Sequence, residues 1–183
     1  TKSAPLGWDA LTHLCFSRYL RLEPERTPGF LDAAKALLDA GANANTGFFE
    51  TNHQPSPMWE SALYGAAGVA HHAGLTKLLL DHGADPNDNE VPYHSPETRD
   101  NQALHALVES GTLNADSLSM MLLRKADWHD LDGVRYLLDH GAAGGFMILP
   151  VPLQQLTVER QRRREVHRKN LHGRLPTRPR DLD

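Results

Sequence analysis

Three stretches of the chain share one arrangement of apolar and polar positions. They are Ala36-Leu37-Leu38-Asp39-Ala40-Gly41-Ala42-Asn43-Ala44-Asn45, Leu78-Leu79-Leu80-Asp81-His82-Gly83-Ala84-Asp85-Pro86-Asn87 and Tyr136-Leu137-Leu138-Asp139-His140-Gly141-Ala142. Each closes an apolar stripe at helical spacing and stops at a glycine, the residue that takes the left-handed helix-ending conformation at least cost. In the first two, Asn or Asp-Pro-Asn then opens a turn. A second pattern lies upstream of these endings. It reads Ser61-Ala62-Leu63-Tyr64-Gly65-Ala66-Ala67 and again Gln102-Ala103-Leu104-His105-Ala106-Leu107-Val108, with a weaker copy at Asp9-Ala10-Leu11-Thr12-His13-Leu14-Cys15. A fourth candidate, Leu118 to Ala126, keeps only Leu122 and the small Ala126.

In this alternating order the segments resemble the two helices of the ankyrin repeat, which opens in Thr-Pro-Leu-His-x-Ala-Ala and ends in Leu-Leu-x-x-Gly-Ala-Asp. The resemblance covers about residues 6–142. It implies an all-α fold, an ankyrin-repeat solenoid of about four helix-turn-helix repeats with elongated finger loops. A unit of about 33 residues cannot bury its apolar face alone and must stack on its neighbours. Ala66 and Ala67 would let adjacent helices approach closely, and Leu75, Leu78 and Leu79 would line one helix face. The function the resemblance implies is non-enzymatic: a protein–protein interaction module that reads its partner through the fingers and the concave face. It implies no cofactor and no small-molecule substrate.

Departures from the pattern locate the candidate binding residues. Gly41 to Ser61 spans 20 positions and Gly83 to Gln102 spans 19, against a family interval of about 12. Loops of that length usually carry function. The first would present Phe48, Phe49, His53, Met58 and Trp59, and the second Tyr93 and His94, with Glu90, Glu97 and Asp100 around them. Aromatic residues are enriched at binding hot spots; the competing reading is that Phe48, Phe49 and Trp59 fold inward to cover a small core of the enlarged loop. A further insertion between Cys15 and Gly29 predicts a longer first helix and a rigid corner. Beyond residue 101 the pattern predicts three helices, about 102–110, 115–126 and 131–140, where two full repeats need four.

Charge divides the chain in two. Residues 1–142 carry 10 Lys and Arg against 19 Asp and Glu, whereas residues 143–183 carry 9 against 4. An acidic body favours a partner with a basic patch. The division predicts a repeat domain over 1–142 and a basic tail over 143–183. Three readings fit that tail: an extended segment, a degenerate capping helix around 153–170, or a stretch foreign to the fold. Its basic run at 160–169 offers an alternative function, binding nucleic acid or an anionic membrane by charge, although no aromatic residue interleaves it for base stacking. Another alternative is a regulatory fragment of a larger enzyme.

Other chemistry finds little support. Cys15 sits in the apolar setting Leu14-Cys15-Phe16 and reads as a core residue. A single cysteine and no apolar run near membrane-spanning length suit a cytoplasmic protein, and the opening Thr1-Lys2-Ser3-Ala4-Pro5 reads as a processed end. Neither a phosphate-cradling Gly-rich motif nor a Gly-x-Ser-x-Gly elbow occurs, and no His-Glu-x-x-His or paired-Cys spacing points to a metal. The Asp-His neighbours at Asp81-His82 and Asp139-His140 do not face one another along a helix. His82 and His140 are expected to cap helix ends.

Overall fold

The computed structural model describes residues 7–52 and 56–143, all within the first of two units of the chain, residues 1–145. The basic tail beyond 143 and His53 lie outside the described residues. The helices are α1 (Ala10–Cys15), α2 (Tyr19–Leu22), α3 (Thr27–Asp39), α4 (Ala62–Tyr64), α5 (Ala73–Asp81), α6 (Glu90–His94), α7 (Gln102–Glu109), α8 (Ala115–Asp127) and α9 (Leu131–Asp139). A 3₁₀ turn (Pro24–Arg26) precedes α3, and α4 runs on as a π-helical turn (Gly65–Val69). Strands β1 (Gly47–Glu50) and β2 (Met58–Ser61) pair antiparallel between α3 and α4. None of these helices is long and apolar enough to cross a membrane.

The strands overturn the expected all-α class. Over the described residues the protein is mixed α/β, mostly helical with one two-stranded sheet, and no regular four-repeat solenoid is formed by them. The physical reason lies in the first long loop. Phe48 and Phe49 face Glu60 and Trp59 across the strands, and aromatic side chains favour the pleated, half-buried surface of a sheet over a helix. The second long loop is not a finger either. Residues 90–94 form α6, which packs on α4, on the π-helical turn and on α8. Gln102–Glu109 lies against α5. The insertion after Cys15 lengthens no helix: α1 stops at Cys15, and the inserted residues make α2 and the 3₁₀ turn. The three helices expected beyond residue 101 do form.

Local sequence explains the helix ends. Asp9, Ser61, Asn114 and Asp130 accept hydrogen bonds from the backbone N–H three residues on, satisfying a donor that the helix leaves unpaired. Gly41, Gly83 and Gly141 close α3, α5 and α9 at φ of 91°, 84° and 89°, which side-chain-bearing residues avoid. His82 and His140 turn Nδ1 back to the carbonyls of Leu78 (2.8 Å) and Tyr136 (2.7 Å), as expected of residues that cap helix ends.

The core runs between the helices as one seam. Leu11, Cys15, Ala34, Leu38, Leu63, Ala66, Ala67, Leu75, Leu79, Leu104, Leu107, Met121 and Leu137 are buried in it. The turns after α3, α5 and α7 are tied edge to edge. Asn45 donates to the Gly83 carbonyl (2.9 Å) and accepts from the Asp85 N–H (2.7 Å). Asn87 repeats the pattern with the Thr112 carbonyl (3.0 Å) and the Asn114 N–H (2.8 Å). Each asparagine thus satisfies two backbone groups of the following turn.

Leu79 is fully buried at the centre of the seam. Replacing it with alanine is expected to cost about 2–5 kcal/mol, the range for a buried leucine that leaves a cavity, read as a lower urea midpoint at unchanged m-value.

Candidate functional site

The hairpin presents two unlike faces because successive strand residues point to opposite sides. On one face Phe48 lies opposite Glu60, and on the other Phe49 lies opposite Trp59. Phe48 turns toward the helices. Its ring lies 4.6 Å from Trp8 and 5.3 Å, edge-on, from Phe16. The contacts continue from Phe16 to Tyr64 (5.7 Å) and from Tyr64 to His94 (5.3 Å), so a train of rings joins the hairpin to α6. Close packing at its inner end depends on Gly68, where a Cβ would stand 2.7 Å from the Tyr64 ring and 3.0 Å from the His94 Cβ.

The outer face is different. Phe49 and Trp59 meet edge-to-face at 5.0 Å, and they remain 63% and 36% exposed. Met58, opposite Glu50, falls by the same alternation on the Phe48–Glu60 face and is half-buried. The backbone that carries this pair is held at its base, where the Ala62 N–H donates to the Thr46 carbonyl (2.8 Å).

Behind the hairpin, α6 carries a charged network. His94 is held at both ring nitrogens, Nε2 by Glu90 (3.1 Å) and Nδ1 by Glu97 (3.0 Å). Burial alone would push its imidazole down, but these two carboxylates outweigh it and raise the group to about 9. Burial would likewise raise Glu97, and His94 and Arg124 hold it below the usual carboxylate range instead. The buried Arg124 pairs with Glu97, reaches Asp127 (3.1 Å) and the Tyr93 carbonyl (3.2 Å), and lays its guanidinium 4.0 Å over the Tyr93 ring. A second buried cation anchors the loop after α6. Lys125, with 0% of its side chain exposed, donates to the Thr98 carbonyl and to Asp130 (2.9 Å). Asp130 also accepts from Asn101 (3.0 Å) and the Gly133 N–H (3.2 Å). Burial opposes its ionisation, but Lys125, Asn101 and the backbone N–H hold its carboxyl down to about 2.

The predicted binding residues therefore separate. Phe49 and Trp59 share the outer hairpin surface, Phe48 anchors the opposite face, on which Met58 also lies, and Tyr93 and His94 belong to a packed helix rather than a finger tip. Sequence reasoning did not single out Glu60, Arg124 and Lys125, and left Glu90 and Glu97 as loop neighbours. The spacing Glu90-x-x-x-His94-x-x-Glu97 was the available signal, since on a helix it brings both carboxylates to one histidine. Burial pushes the Cys15 thiol up to about 12, which leaves it no thiolate at neutral pH. Among the described residues no group of three His, Cys, Asp or Glu side chains is placed to hold a metal ion. In comparison with known proteins, no family model matches the chain and no curated protein matches it.

Two substitutions separate the faces and the anchor. Phe48→Ala is expected to cost about 3 kcal/mol, near the low end for a packed phenylalanine, whereas Phe49→Ala should cost less than about 1 kcal/mol, as at exposed positions; chemical denaturation reads both. Lys125→Met strands the Asp130 carboxylate and should cost about 3–5 kcal/mol at neutral pH. Because the folded protein holds the Asp130 proton off until about pH 2, the pairing stabilises above about pH 4 and is lost as pH falls through 2. The gap in melting temperature between wild type and variant should narrow over that window.

Proposed function

We propose that this chain is a binding module, related to the ankyrin-repeat family, that holds another protein through the outer face of its hairpin. The observation that carries the reading is the exposed Phe49–Trp59 pair, set on a strand pair whose opposite face is anchored. Rigid aromatic side chains give large contact area at small entropic cost, and a preorganised hairpin leaves little ordering to be done on binding. The body over 1–142 carries nine more acidic than basic residues. The partner is accordingly a protein with an apolar segment bordered by lysine or arginine, met faster at low salt. The reading is of a non-catalytic, cytoplasmic module.

Affinity capture with the full chain, with residues 1–142 and with a Phe49→Ala/Trp59→Ala double variant tests this. A common partner is expected on the first two baits, with at least a tenfold loss on the third while its circular dichroism stays that of wild type. Capture that survives the double substitution, or that requires residues 143–183, would transfer the function elsewhere in the chain.

A further inference from the structure

Glu60 is the inward neighbour of Trp59 on β2 and is only 7% exposed, yet among the described residues its carboxyl has no hydrogen-bond or ion-pair partner. The groups that surround it come from every element packed on the strand. Glu50 stands on β1, Asp88 in the turn before α6, Glu90 and His94 on α6, and the Tyr64 hydroxyl on α4. Four of these groups, counting Glu60, are carboxyls and only His94 is a cation, and His94 already spends both ring nitrogens on Glu90 and Glu97. Beyond it Arg124 is bound to Glu97 and Asp127. Asp88 is held by the Ser61 hydroxyl (2.6 Å) and by the Glu90 and Val91 N–H groups (3.0 and 2.6 Å). Glu90, like Glu60, is 7% exposed. The hairpin is thus seated on a site with one more buried carboxyl than its hydrogen bonds and its cation can serve.

We propose that Glu60 is a proton-operated latch for the hairpin: neutral, it lets β2 lie on α6, and ionised, it is driven from Glu90 and loosens the strand that carries the Phe49–Trp59 pair. This regulation rests on the reading of the hairpin as the recognition element. Burial, reinforced by Glu90, pushes the Glu60 carboxyl up to about 7. A carboxyl whose folded value lies above its unfolded one stabilises fully below about pH 4.5 and loses that contribution as pH rises through 7. His94, raised to about 9, keeps its proton over this range, and Glu97 keeps its charge. Burial raises the Asp88 carboxyl as well, against the hydrogen bonds it accepts from Ser61 and the Val91 and Glu90 N–H groups, so the Glu60→Gln variant identifies which carboxyl of the seat gives up the proton across pH 5–8.

The test is nuclear magnetic resonance of the full chain between pH 5 and 8, following the ring contacts of Phe48 with Trp8 and Phe16 and the amides of β1 and β2. Both sets should weaken together with a midpoint near 7, while the amides of α5 hold still. Glu60→Gln, which keeps the shape and removes the titration, should retain the contacts at pH 8. Glu90→Gln, which removes the facing charge, should move the midpoint down by at least half a pH unit. Contacts that are constant across the range in wild type, or that fade equally in Glu60→Gln, overturn the latch. The Phe49→Ala/Trp59→Ala variant separates the two proposals. It should keep the titration and lose capture; capture retained with the titration present sinks only the binding reading, and capture lost with no titration sinks only the latch.

Discussion

Helices of thirteen residues or fewer are marginal in water on their own, and every helix described here is that short. Their stability has to come from what they bury together. The shared seam of Leu11, Leu63, Leu75, Leu79, Leu104, Leu107 and Leu137 supplies it, and alanines at 34, 66 and 67 let the backbones approach closely enough to close it. The rest follows from that dependence. Helices ended sharply by a side-chain cap or a left-handed glycine keep their apolar residues in register, and the asparagines at 45 and 87 fix each turn against the next.

The hairpin solves a different problem on the same scaffold. A short two-stranded sheet is not stable by itself, so one of its faces has to be spent on attachment. Strand alternation assigns Phe48 and Glu60 to that duty and leaves Phe49 and Trp59 outside. The attachment is chemically mixed. Aromatic packing through Trp8, Phe16 and Tyr64 is insensitive to pH, whereas the carboxyl beside Glu90 is not. The same ring train ends on His94, whose two carboxylate partners bind α6 to the loop that follows it and, through Arg124, to α8.

Legibility in the sequence followed the range of the interactions. Glycine-ended helices, histidine caps and the three helices beyond residue 101 were readable because each is set by residues within one or two turns. The sheet was not, since four-residue strands such as Gly47–Glu50 and Met58–Ser61 carry too short an alternation to compete with a family resemblance that implies helices alone. Helix α6 was hidden by Pro92 and Pro96, which read as loop residues; proline at the third position of a helix removes only an N–H that the first turn leaves unpaired anyway. The long aromatic loop was correctly singled out, but not the division of Phe48 from Phe49, which depends on register. The ion network was out of reach for a further reason. Arg124 meets Glu97 and the Tyr93 carbonyl across 27 and 31 positions, and no local pattern encodes a partner at that distance.

The hydrogen bond between the Ala62 N–H and the Thr46 carbonyl makes the chain leave the helical body and return to it at a single point. Whatever lies between those two residues can change length while the body keeps its path, because the added cost is loop-closure entropy, about 0.6 kcal/mol for each doubling. The fifteen residues from 47 to 61 thus form an exchangeable cassette. Its sequence is free to diversify, or to be replaced by design, provided that the Phe48 berth between Trp8 and Phe16 is kept, that Ser61 still caps α4 and holds Asp88, and that Gly47 still lies against the Glu60 carbonyl.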